Sequence, residues 1–395
     1  MGQFRFLTAG ESHGRGLVAV IEGMIAGLPI SEDYIVRDLK RRQIGYGRSG
    51  RMKIEHDKAE IISGVRHGLT IGSPISMLIW NRVWEEWREV MSINPVRKKI
   101  APITMPRPGH ADLAGTVKYG VDDIRVILER ASARETAARV AVGAVGRRFL
   151  EEFGISVRSH TVSIGKYTTK QLKSIDWRRV EKSPVRCADA EAEKLMMDGI
   201  HETKADGDTL GGVLEVIVSG VPVGLGSHVH YDRRLNGQIA QAVMSIPAVK
   251  GVEIGAGFSV ATVKGSQAQD VIESGSKGND LTWKRMTNNA GGIEGGISNG
   301  EPIVVRAAVK PIPTLGKPLP SIDLSSGRKA EAHYERSDVC VVPAAGVIAE
   351  AMLAIVLANA MLDKFGGDHL KETMANHKNY IRTAYSNRYA ASKSK

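Results

Sequence analysis

Apolar residues recur along the chain in two spacings. Alternating or continuous apolar runs at Leu17–Ile25, Ala59–Val65, Ile71–Trp80, Leu214–Val218 and Pro302–Val309 predict strands. Runs with helical spacing predict helices over Asp33–Arg41, Ala133–Glu152, Asn236–Ser245 and Ala344–Phe365. Strands and helices do not alternate regularly, so the pattern points to an α+β fold of short strands and a few long buried helices, not a doubly wound parallel sheet. Val339–Leu362 has the length and apolarity of a membrane span. Glu350 at its middle, Asn359 and Pro343 argue instead for a core helix, because a carboxylate at the centre of a bilayer is costly.

The segments Gly23–Leu28, Gly64–Leu69 and Gly220–Leu225 each read Gly-x-x-x-Gly-Leu and each follow a strand-like run. Glycines four apart suit a sharp reversal at positive φ, and the recurrence hints at internal pseudo-symmetry. Trp80, Trp84 and Trp87 fall at i, i+4 and i+7, which predicts an aromatic face packed in a core or at a subunit contact. Beyond Gly367 the chain turns polar and basic, a tail from roughly 370 to 395 behind a single domain.

The chain has 395 residues, 42% hydrophobic, which allows a large core, and a net charge of +11, which favours anionic ligands. Its arginines stand beside Gly, Ser and His rather than in a run, and only 5% of residues are aromatic. A nucleic-acid-binding stripe is therefore not expected, nor is a membrane partner. Cys187 and Cys340 are too few for a disulfide framework or zinc cluster. Without a secretory leader behind Gly2–Arg5, a cytoplasmic setting is expected.

Several short segments carry candidate chemistry. Ser132 and Glu135 form a predicted capping box, leaving a positive helix end beside Arg130 and Arg134 as an anion site. The loop Arg41–Arg51 interleaves glycines with Arg42, Arg48 and Arg51, whose forked guanidinium groups suit carboxylate and phosphate. Arg107–Asp112 is a rigid turn carrying His110, and Gly10–Gly14 carries His13; both are candidate general acids. Glu335–Asp338 adds an Arg–Asp pair, Arg336 and Asp338. The Gly-rich turn Thr287–Gly296 and the stiff turn Lys310–Thr314 resemble a cradle for a phosphorylated cofactor. A metal-assisted phosphohydrolase using His13, His110 and nearby carboxylates is the alternative, although neither His has a second His at i+2 or i+4.

Taken together, Gly10–Gly14, Arg41–Met52, Arg107–Asp112, Arg130–Gly143, Met244–Gly257, Thr287–Gly300, Lys310–Thr314 and Glu335–Leu353 resemble the chorismate synthase family, in order and over nearly the whole chain. The resemblance implies a β-α-β sandwich and a homotetramer. It implies a lyase that converts 5-enolpyruvylshikimate 3-phosphate to chorismate by anti-1,4 elimination of phosphate, the last common step of the shikimate pathway before the aromatic amino acids. Reduced FMN is required without net redox change, and NADPH enters only to reduce it, with an external flavin reductase expected. By resemblance, His110 is the acid at the leaving phosphate, His13 protonates or holds the reduced flavin, and Asp338 assists removal of the ring proton through the flavin N5. Arg42, Arg48, Arg51, Arg107 and Arg134 would bind the substrate's anionic groups, and Arg42 and Arg48 also match NADP contacts. Arg130, Ala131, Ser132, Ala248, Gly295, Lys310, Pro311, Ile312, Pro313, Thr314 and Arg336 would hold FMN. The chain departs from the family pattern at Pro247, where many members carry Asn, which leaves backbone contact at Ala248.

Overall fold

The structure is a computed structural model and describes residues 4–48, 50, 55–170, 172, 174–277, 280–335 and 337–384. Its first half contains β1 (Arg5–Ala9), β2 (Gly16–Glu22), α1 (Glu32–Gln43), β3 (Ala59–Ser63) and β4 (Ile75–Trp80). These strands form an antiparallel sheet in the order β1-β2-β4-β3. Leu17, Ala19 and Ile21 of β2 and Ile75, Met77 and Ile79 of β4 are buried. The period of two thus lays one face of the sheet on the core. A long connection with α2 (Asp112–Tyr119) and α3 (Arg125–Ala131) then leads into α4 (Thr136–Glu151).

The second half repeats this plan with β5 (Ser156–Ile164), α5 (Ala190–Ala205), β6 (Gly212–Ser219), α6 (Leu235–Met244), β7 (Val249–Ile254) and β8 (Ile303–Val309). Its antiparallel order is β5-β6-β8-β7, with the two-residue strand Tyr167–Thr168 added outside β5. In both sheets the strands therefore lie first, second, fourth, third. Each second strand runs into a Gly-x-x-x-Gly-Leu reversal, at Gly23–Leu28 and Gly220–Leu225, before a helix. The glycines take φ of 83° and 82° in one and 83° and 102° in the other, a region that Cβ-bearing residues rarely enter. Each fourth strand runs into a long insertion, 81–135 or 310–341, and then a helix: α4, or α7 (Val342–Phe365). The hint of pseudo-symmetry is thus a property of the whole topology.

Helices α4 and α7 pack side by side between the sheets, α4 against the first and α7 against the second, with α1 and α6 flanking them. This is a β-α-β sandwich. Small residues set the spacing of the central pair: a Cβ on Gly143 would lie 2.3 Å from Ala351 Cβ. Helix α7 is long and apolar enough to cross a membrane, yet 89% of its most apolar stretch is buried inside the protein.

Some elements depart from the sequence reading. The segment read as a polar tail forms α8 (Leu370–Ala384), which buries Leu370 and Thr373 and sets Tyr380 against Phe365. The three tryptophans do not share a helix face. Trp80 ends β4, half exposed, and only Trp84–Trp87 is helical.

Candidate active site

The two insertions meet at the ends of α1, α4 and α7 and enclose a cavity of about 940 Å³. The loop Gly10–Gly14 between β1 and β2 forms one wall. Gly10 sits at φ 103°, and a Cβ there would lie 2.2 Å from the Gly16 carbonyl oxygen. Asn81, just past β4, donates from Nδ2 to the carbonyls of Glu11 (3.0 Å) and Gly14 (2.7 Å) and holds the loop in place. The His13 backbone N–H donates to Glu129 Oε2 at 2.6 Å, and its Nδ1 lies 2.7 Å from Glu129 Oε1. Its ring stacks on Trp87 at 3.9 Å between centroids.

Neighbouring residues on a helix point about 100° apart, and the last turn of α1 uses this. Arg41 turns into the core toward Glu350, whereas Arg42 turns to the cavity. Arg42 donates from Nε to Thr136 Oγ1 at 2.9 Å and from Nη2 to the Ala133 carbonyl at 2.8 Å. Burial, only partly offset by Asp57 and reinforced by Arg48 and Arg134, pulls its pKa down to about 10. It is still a cation at neutral pH. Arg134 donates from Nε to Asn81 Oδ1 at 2.9 Å and pairs through Nη1 with Asp57. Arg48 pairs with Asp338 Oδ2 at 2.8 Å, joining the α1 loop to the second insertion.

The turn Arg107–Asp112 forms the opposite wall. Arg107 donates from Nε to Asp112 Oδ2 at 2.8 Å and from Nη1 to Thr314 Oγ1 at 3.1 Å. Lys310 Nζ donates to the Gly109 carbonyl. His110 Nδ1 lies 2.5 Å from Asp112 Oδ1. Glu335 sits 3.5 Å from Arg107 and 3.7 Å from His333. Burial alone would raise the Glu335 carboxyl, but His333, Arg107 and His13 hold it below the usual range.

The cavity gathers His13, His110, Asp338, Arg42, Arg48, Arg107, Arg134, Ala131, Ser132, Ala248, Lys310, Ile312, Pro313 and Thr314. It does not gather all the predicted residues. Arg130 points away and braces the first loop, donating to the carbonyls of Gly10 (3.0 Å) and Thr8 (2.9 Å). Gly295 lies in the turn between the short strands Ile293–Glu294 and Ile297–Ser298 and does not line the cavity, and neither does Pro311. Arg51 and Arg336 fall outside the described residues.

The predicted capping box also differs. Ser132 Oγ accepts from Arg134 N at 3.3 Å and caps a 3-10 turn, Ala133–Glu135. The Glu135 side chain is claimed by Thr8 Oγ1 and Arg139, each at 2.9 Å, instead of reaching back to Ser132. The tighter turn shortens the reach of the cap, and the ion pair wins the carboxylate. Asp57, Glu129 and Arg125 are site residues that sequence reasoning did not single out, and Trp87, read there as packing, stacks on His13 in the site.

The donor set suits an anionic, phosphorylated ligand. Arg42, Arg48, Arg107, Arg125, Arg134 and Lys310 line one cavity against Glu335 and Asp338. Arg48 Nε, Arg125 Nε and Arg134 Nη2 are buried with no hydrogen-bond partner among the described residues, a costly state that ligand oxygens would relieve. Among the described residues, no three His, Cys, Asp or Glu side chains gather to hold a metal ion.

Comparison with known proteins gives the same answer over almost the full length. The family profile for chorismate synthase matches residues 4–362. A chorismate synthase of Moorella thermoacetica is 56% identical over 384 residues, covering 96% of this chain and 99% of that protein. One from Streptomyces avermitilis is 51% identical, covering 96% of this chain and 98% of its own. A crystal structure of chorismate synthase superposes with a TM-score of 0.77 at 44% identity, covering 97% of this chain and 98% of the other. The chain belongs to the chorismate synthase family.

Proposed function

We propose that this lyase converts 5-enolpyruvylshikimate 3-phosphate to chorismate by anti-1,4 elimination of phosphate, with reduced FMN in the same cavity. The observation that carries the reading is the ring of five arginines and one lysine around a single cavity that also holds His13 and His110, each against a carboxylate. The substrate brings two carboxylates and a phosphate, and the cofactor brings a further phosphate. Arg42, Arg48, Arg107 and Arg134 offset that charge, and Ala131, Ser132, Ala248, Lys310 and Thr314, which line the same cavity, would hold the flavin. Preorganised cations of this kind favour departure of an anionic leaving group. Reduced FMN held by these residues would supply reversible electron donation to the substrate, without net oxidation.

His110 gives a proton to the departing phosphate oxygen, His13 holds the cofactor, and Asp338, fixed by Arg48, takes part in removing the ring proton. NADPH serves only to reduce the flavin, through an external reductase. The same reading makes the protein a cytoplasmic homotetramer; Leu7, Val18 and Trp80, apolar and exposed on the outer face of the first sheet, support a subunit contact there.

The test is anaerobic turnover of the enolpyruvyl substrate with dithionite-reduced FMN, and separately with NADPH alone. Chorismate is expected in the first case and not in the second. Phosphate release that needs no flavin and stops on chelation would overturn the reading in favour of a metal-assisted phosphohydrolase.

A further inference from the structure

The contacts of His110 decide which ring nitrogen faces the cavity. Nδ1 lies 2.5 Å from Asp112 Oδ1 and 3.1 Å from Arg107 Nη2. A single nitrogen can donate to the carboxylate or accept from the guanidinium, not both. The shorter contact is the one to an anion, and a charge-assisted bond outweighs a neutral acceptance. Asp112 cannot turn away. It is fully buried at the start of α2, and its Oδ2 accepts from Arg107 Nε at 2.8 Å and from the Arg107 backbone N–H at 3.1 Å. Burial alone would raise its carboxyl, but bonds from His110 and Arg107 hold it well below the usual carboxylate range. Asp112 is thus an ionised acceptor throughout the working pH range. The arrangement recurs at the other histidine, where Glu129, also buried, meets His13 Nδ1.

We propose that Asp112 is the positioning residue of the elimination: by accepting Nδ1–H it turns Nε2 of His110 to the cavity and stabilises the doubly protonated ring. This rests on the acid role of His110 stated above. As the substrate C–O bond breaks, its electron pair leaves with the phosphate oxygen, and the Nε2 proton passes to that oxygen. The ring is left neutral, with Nδ1–H still held by Asp112. The other charged groups facing His110 are Arg107 in its own turn, Lys310 bound to the Gly109 carbonyl, and Glu335 with His333 beyond Arg107. Arg107 and Lys310 disfavour a positive ring and Glu335 stands behind Arg107, so Asp112 is the carboxylate that sustains it.

Nitrogen-15 spectra of histidine-labelled wild-type protein should show His110 Nδ1 carrying a proton near neutral pH; a bare Nδ1 accepting from Arg107 overturns the proposal without any variant. In Asp112→Asn, kcat should fall on the order of 10²-fold while KM changes only a few-fold. Asp112→Glu should recover part of the loss. Placed in a His110→Ala background, Asp112→Asn should add no further loss, since a residue that acts through another is silent once that partner is gone. Fully additive losses overturn the proposal. His110→Ala with near-normal turnover at saturating reduced FMN would sink the acid role itself. An inactive His110→Ala beside a fully active Asp112→Asn would sink only the part given to Asp112. If Asp112→Asn does not fold, the wild-type spectrum alone decides.

Discussion

Glu350 is a fully buried carboxylate in the middle of the most apolar helix. Its Oε2 accepts from Arg41 at 2.7 Å and Arg147 at 2.6 Å, and its Oε1 accepts from the Ser159 backbone N–H at 2.8 Å and from Arg186 at 3.2 Å. Burial would raise this carboxyl, but the three arginines hold it well below the usual range. A depressed folded-state value contributes stability above the unfolded value, about 4.3, that is lost as the pH falls beneath it. Glu350→Gln should therefore cost about 3–5 kcal/mol at pH 7, because it leaves buried arginines uncompensated, and should flatten the acid limb. Urea midpoints from pH 3 to pH 7 measure both effects; an unchanged midpoint would show the network to be neutral. At this scale the sequence was informative wherever chemistry clustered locally. His13, His110 and the arginine loops stand between glycines or prolines, whereas Glu129 reaches His13 across 116 positions and Asp57 reaches Arg134 across 77. No local pattern signals such partners.

Among the elements, long segments with a clean period were legible: β2, β4, β8, α1, α6 and α7 lie within a few residues of their predicted ranges. Strand β5 was not, because Arg158, Ser159 and His160 interrupt its apolar residues, to lie over Trp177, to serve the Glu350 network and to meet Glu215 in turn. Helix α8 was hidden by its polarity, since few of its side chains are buried. Tertiary context decided both. The contact of α4 with α7 is the element on which the sandwich depends, and Gly143 sets its spacing. A side chain there must displace the Ala351 backbone, whose Cα would lie 2.5 Å from the new Cβ. Gly143→Val should destabilise by about 1–3 kcal/mol or more through overpacking, read as a lower thermal midpoint. A midpoint equal to that of the parent would mean that the helices can part at little cost.

On the scale of the whole molecule, a repeated topology has acquired a single set of chemistry. The insertion 81–135 carries Trp87, Arg107, His110 and Arg134, while its counterpart 310–341 carries Lys310, Thr314, Glu335 and Asp338. The wall between them closes only through contacts such as Arg107 with Thr314 and Lys310 with Gly109. The halves are joined at Phe153–Gly154, where Gly154 is exposed at φ 74° and no other group lies within 4 Å of a Cβ placed there. In effect the chain is a heterodimer whose two subunits happen to share a peptide bond. If so, that bond is a tether rather than a part of the machine. Fragments 1–153 and 154–395 made together should associate and recover turnover, while neither alone turns over substrate. Fragments that stay apart would mean that the joint, and not the helix seam, holds the halves in register.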